Sequence, residues 1–141
     1  MIRRTHKPTE KLPTYFRNID LARIDMLIKN YILDEEFMTQ HADKLNWWAV
    51  SRYQTLSEEF MDTHLFKLDW TQVCAYQKLS MQFMTTHAAR LDWDTVSRHQ
   101  DLSEQFVIAN LDRLNLVVIC RSYPELVREY HLDLLRDLTY N

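Results

Sequence analysis

The chain has 141 residues, enough for one domain with a sizeable core, and its 46% hydrophobic and 12% aromatic content excludes intrinsic disorder. It contains no glycine, where average usage would supply about ten, so phosphate loops, dinucleotide fingerprints and nucleophile elbows are excluded, since each needs glycine's backbone freedom. Residues 1–30 carry seven Lys/Arg against three acids (+4) and residues 31–141 carry ten against seventeen (−7), which together make the net −3 of the chain.

In chain order, Met1-Ile2-Arg3-Arg4 is followed by His6-Lys7-Pro8 with no apolar run, so no secretory leader is expected. The longest apolar stretch, Leu114 to Cys120, is interrupted by Asn115 and falls far short of the roughly 20 residues of a membrane span. Cytoplasm is therefore the expected address. Residues 1–18, with Pro8 and Pro13, read as a basic arm whose Arg3, Arg4, Lys7, Lys11 and Arg17 are the candidate nucleic-acid contacts. A single domain is expected over residues 19–141. It opens with a partial unit, 19–32, in which Ile19-Asp20-Leu21 and Ile24 lead into a helix ending near Ile32.

Four segments, 33–55, 56–78, 79–101 and 102–125, then align at a spacing of 23 residues. The second and third share eleven identities, where unrelated segments would share about one or two. The first column is Leu33, Leu56, Leu79 and Leu102, followed by Asp34, Ser57, Ser80 and Ser103. The fifth is Phe37, Phe60, Phe83 and Phe106, and the ninth is His41, His64, His87 and Asn110. Leu45, Leu68, Leu91 and Leu114 precede Asn46, Asp69, Asp92 and Asn115; then come Trp47, Trp70, Trp93 and Leu116, then Val50, Val73, Val96 and Ile119, with Gln54, Gln77 and Gln100 near the end. A fifth partial unit, 126–141, begins at Leu126 after one extra residue near Pro124, with Tyr130 for the phenylalanine and Leu138-Thr139-Tyr140 for Leu-Asp-Trp.

Two positions per unit have N-cap chemistry, Ser57 for one helix and Asp69 for the next. Leu56, Phe60, His64 and Leu68 recur every four residues along one helical face, and Trp70, Val73 and Gln77 line another. Each unit is thus expected to hold two helices of about 8–10 residues, too short to persist alone and stable only when stacked. The fold class is all-α, a right-handed α-solenoid of stacked short helix pairs. Leucine-rich repeats have a similar period, but Lys67-Leu68-Asp69-Trp70 is helix-cap chemistry and lacks their strand signature.

The pattern Leu-Ser-Glu-x-Phe-Met-x-x-His…Leu-Asp-Trp-x-x-Val-Ser-x-x-Gln resembles the short helical repeats, about 23 residues long, encoded by bacteriophages and giant double-stranded DNA viruses. The resemblance covers residues 33–124; Asn110, Leu116 and Pro124 depart from it in the last full unit. It implies a viral gene and a host-cytoplasmic protein, and it carries no activity with it.

Side chains with possible chemistry favour structural roles. His41, His64 and His87 sit one repeat apart, a helix-packing distance of about 8–10 Å that no single ion would span, so a buried hydrogen-bonding ladder is expected. Cys74 and Cys120 share a column two units apart and should be reduced thiols without a disulfide. Glu35-Glu36 and Glu58-Glu59 fall in helix first turns, where the dipole favours acids on a solvated face. The tryptophan column is expected in the core. Lys44, Lys67, Arg90 and Arg113 form one cationic ladder and Arg52, Arg98 and Arg121 another; both would suit a phosphate backbone, and the first would equally complement helix C-termini and pair with acids.

These features favour a non-enzymatic protein-binding module with no catalytic residue, cofactor or metal; what the resemblance implies is a host or viral protein as partner, with a host defence or regulatory factor as the one blocked. Its expected contacts are Trp48, Asp62, Leu65, Phe66 and Thr85 in the variable columns, with Lys44, Lys67, Arg90 and Arg113. The alternatives are a nucleic-acid binder using the arm and ladders, and a virion structural component.

Overall fold

The computed structural model describes residues 7–14 and 23–129. Among these the chain is all-helical, with ten helices and no strand. Backbone contacts divide it at Lys78/Leu79, a repeat boundary, into two compact units. The first contains α1 (Ile24–Asn30), α2 (Glu35–Gln40), α3 (Trp47–Tyr53), α4 (Glu58–Thr63) and α5 (Trp70–Tyr76). The second contains α6 (Met81–Thr86), α7 (Trp93–His99), α8 (Glu104–Ala109), α9 (Leu116–Ser122) and α10 (Pro124–Glu129).

The cap columns set the helix starts. The side chains of Asp34, Ser57, Ser80 and Ser103 each accept from the backbone N–H of the phenylalanine three residues on. Asn46, Asp69, Asp92 and Asn115 accept from Ala49, Gln72, Thr95 and Val118 in the same way. This satisfies one otherwise unpaired amide at each helix start. The helices run six or seven residues, shorter than the sequence suggests. The first helix of each unit stops at the His/Asn column, where the backbone leaves helical geometry. Leu56 and Leu68 therefore lie outside α4, one before its cap and one in the turn after it, yet both are buried. Leu126 behaves differently: Pro124, whose ring presets φ and which lacks an N–H, starts α10 two residues ahead of it. Tyr130 and residues 131–141 lie outside the described residues.

In the first unit α3 packs between α1 and α5, so second helices stack directly on second helices. The most deeply buried first-helix positions are Met38 and Met61 there and Met84 and Val107 in the second unit, all fully enclosed together with Val50, Val73, Val96 and Ile119. The tryptophans are a correction to the expected core: Trp47, Trp70 and Trp93 are half-buried. Their indole N–H groups donate to the carbonyls of Ala42, Leu65 and Ala88 at 2.8, 3.1 and 2.9 Å. An indole that bonds to its own turn keeps one edge at the surface, so it walls the core instead of filling it.

The glutamine column joins successive repeats. Gln77 Nε2 donates to Ser51 O (2.7 Å) and Gln54 O (2.8 Å), and its Oε1 accepts from Leu56 N (3.0 Å). Gln54 does the same one repeat earlier with Ile28 O, Tyr31 O and Leu33 N. In the second unit Gln100 Oε1 accepts from Leu79 N, and Tyr123 takes over the column, its hydroxyl accepting from Leu102 N at 3.1 Å and donating to Leu102 O at 3.0 Å. Part of the basic arm is also tied down. Ile32 N donates to Glu10 O, Leu12 N donates to Ile32 O, and Lys7 Nζ donates to Gln54 O at 3.1 Å. Arg3, Arg4 and Arg17 lie outside the described residues.

Candidate functional site

The second helices of the first unit present a cation–aromatic face. Trp48 and Arg52 lie four residues apart on α3, one above the other on the helix surface. The Arg52 guanidinium stands 5.4 Å from the Trp48 ring centre, 5.6 Å from that of Tyr53 and 4.5 Å from that of Tyr76 on α5. Its Nη1 donates to Gln72 Oε1 at 3.2 Å, and its Nε is buried with no hydrogen-bond partner among the described residues. Lys29 on α1 stands 5.8 Å over the Tyr53 ring. The same relation recurs: the cation of one repeat lies over the tyrosine of the next. Trp48 is 43% exposed and meets Tyr53 edge-on.

Of this face, Trp48 is legible in the sequence as a contact residue and Arg52 as part of a cationic ladder, whereas Lys29, Tyr53 and Tyr76 do not stand out there. Two tyrosines in one column, after a cation one repeat earlier, were the available signal. Leu65, Phe66 and Lys67 come together on the turn after α4. Phe66 is 89% exposed, Leu65 is half-buried with its carbonyl holding Trp70, and Lys67 pairs with Asp43 at 3.0 Å. Lys44 and Asp62 are exposed in the same unit. Thr85, Arg90 and Arg113 belong to the second unit. There the Thr85 hydroxyl donates to Met81 O, and Arg113 stands 5.6 Å over Trp93 and donates to Asn110 Oδ1. The cationic ladder thus sits at interhelix turns against carboxylate, aromatic and amide partners.

The paired acids are partly structural. Glu35 accepts from the Ser57 backbone N–H at 2.7 Å and from the Ser57 hydroxyl at 2.9 Å, so it fastens the cap of the next repeat instead of facing only water. Asp34, Glu36, Phe37, Gln40 and His41 line an open hollow of about 120 Å³, well below the about 300–1,000 Å³ of small-molecule sites. Among the described residues no three His, Cys, Asp or Glu side chains converge as a metal would need, and no helix is long and apolar enough to cross a membrane.

The histidines are not uniformly buried as expected. His64 is 8% exposed, whereas His41 and His87 are half-exposed. Each ring lies tilted against that of the phenylalanine one turn earlier, with ring centres 4.4–4.5 Å apart, and His64 Nε2 also contacts Thr39 Oγ1 at 3.2 Å. Burial first and Lys67 second push the His64 pKa below its ordinary value of 6.5, with Glu35 opposing. A base whose pKa is lower in the folded state binds more protons unfolded. Its contribution is therefore complete above pH 6.5 and shrinks as pH falls through the window below. Urea midpoints at pH 7.5 and 5.5 should drop more for the natural chain than for His64→Asn; equal drops would show that His64 does not carry the effect.

Neither cysteine forms a disulfide; Cys74 is fully buried and Cys120 partly exposed. A thiol reagent should modify Cys120 within minutes on the native chain and Cys74 only on unfolding. Rapid modification of both would contradict the packing of α5. The chain matches no family model, no curated protein and no solved structure.

Proposed function

We propose that this chain is a non-enzymatic viral repeat protein, a right-handed α-solenoid of 23-residue units that binds a host or viral protein in the host cytoplasm and blocks a defence or regulatory factor. The 23-residue recurrence of helix starts, from Trp47 to Trp70 and from Trp93 to Leu116, supports the repeat architecture. The viral origin and the choice of partner rest on the resemblance of the repeats. The observation that carries the binding role is the exposure of Trp48 (43%) and Phe66 (89%), while every phenylalanine of the fifth column is buried or half-buried. Large aromatic side chains left in water beside cations have the composition of protein hot spots.

The nucleic-acid reading has weaker support, because Lys7 donates to a backbone carbonyl and Lys67 already holds a carboxylate. The test is capture from nuclease-treated lysates of candidate bacterial and eukaryotic hosts, followed by mass spectrometry. A stoichiometric protein partner, retained by the natural chain and lost by Trp48→Ser or Phe66→Ser, is the expected result. Gel shifts that appear at low salt and vanish steeply as salt rises, with no captured protein, would favour phosphate-driven binding instead.

A further inference from the structure

The protein-binding reading leaves open where a partner docks and what chemistry it brings; the inference here rests on that reading and answers both. Arg52 and Arg98 occupy the same repeat column but have different surroundings. In the second unit Arg98 is bonded to the Asp94 carboxylate one turn back, at 2.9 and 3.2 Å. In the first unit the position one turn before Arg52 is Trp48, an indole where the carboxylate would be. Among the described residues neither Arg52 nor Lys29 has a carboxylate within ion-pair distance, whereas Lys67, Arg98 and Arg128 do. The rings and the Gln72 amide fix the Arg52 guanidinium in place without neutralising it, and its Nε is left unmatched. A partly desolvated, immobilised cation without an anion is pre-organised to take one, because little side-chain freedom remains to be lost on binding.

We propose that the Lys29–Trp48–Arg52 face is the docking site for an acidic segment of a partner protein, with carboxylates held by Arg52 and Lys29 and a neighbouring apolar side chain packed on Trp48. Charge complementarity selects this occupant. A nucleic-acid strand needs open ring faces and cations in series. Here Tyr53 and Tyr76 already carry a cation on a ring face, and the column continues from Arg52 to Ala75. Carboxylates, by contrast, match the two-pronged guanidinium, and Trp, Tyr and Arg together form the usual anchor of a protein interface.

The experiment uses the full chain, ¹⁵N-labelled, with the Trp48 indole and Arg52 Nε–H resonances as reporters. The probes are a 12-residue Asp/Glu peptide with two central leucines, its Asn/Gln counterpart, and a 12-nucleotide oligo-dT. The acidic peptide should move both reporters and weaken as salt rises. Its affinity should fall about tenfold or more in Arg52→Gln and in Trp48→Ser, stay intermediate in Arg52→Lys, and be unchanged in Arg98→Gln. Lys29 is exposed, so Lys29→Gln gives the same reading should Arg52→Gln fail to fold. Reporters that stay still, or that respond equally to the neutral peptide, overturn the proposal. Shifts centred on the Phe66–Lys67 turn overturn the site while leaving protein binding intact. Preferential binding of oligo-dT overturns both. Concentration-dependent dimerisation abolished by Arg52→Gln would show that the occupant is a second copy of this chain, which also overturns it.

Discussion

Met61→Ala should destabilise the first unit by about 2–5 kcal/mol, the range for truncating a fully enclosed long aliphatic side chain and leaving a cavity. Met61 has no exposure at all and sits at the centre of α4, a six-residue helix that is too short to hold its conformation without tertiary packing. A urea titration followed by far-ultraviolet circular dichroism measures the loss. Trp70→Ala is the informative comparison. Trp70 is half-buried, with its N–H on Leu65 O, so its loss should fall at or below the low end of the roughly 3–5 kcal/mol seen for enclosed aromatics. A Trp70→Ala loss clearly larger than that of Met61→Ala would mean that the tryptophan column, and not the methionine column, forms the core.

Gln77→Leu should destabilise by a similar amount for a different reason. The side chain is 3% exposed and its amide is the partner of Ser51 O, Gln54 O and Leu56 N. Gln54 O keeps its bond from Lys7, but Ser51 O and Leu56 N lose theirs inside the fold. Each such buried group costs about 1–3 kcal/mol, so the expected loss is about 2–5 kcal/mol despite the gain in apolar character. Gln77→Glu should be worse at neutral pH, since a carboxylate cannot donate to the two carbonyls and is buried as a charge. Hydrogen exchange separates this from general loosening, because the Leu56 amide should lose protection out of proportion to its neighbours. Uniform loss across the first unit would refute the specific role of the glutamine.

The sequence by itself determined the local structure. The cap columns of Ser, Asp and Asn placed all eight paired helix starts, because an N-cap bond spans only three residues and depends on nothing distant. It also marked the leucine columns of the core, which follow from apolar spacing. Helix length was less legible, because carbonyls near the ends of the seven-residue helices α1 and α3 are taken by the glutamine of the next repeat, a partner that lies 26 residues away in sequence.

Tertiary structure alone decided three matters. It put Met38 and Met61 rather than the tryptophans at the centre, because an indole with its N–H on the preceding turn is held at the core's edge. It made Gln54, Gln77 and Tyr123 inter-repeat staples, a role fixed by which backbone groups the stacking leaves unpaired. It also gathered Lys29, Trp48, Arg52, Tyr53 and Tyr76 onto one face. Periodicity marks which side chains share a column, but only the offset between stacked helices decides that a cation in one repeat meets a ring in the next, and that offset is set by packing.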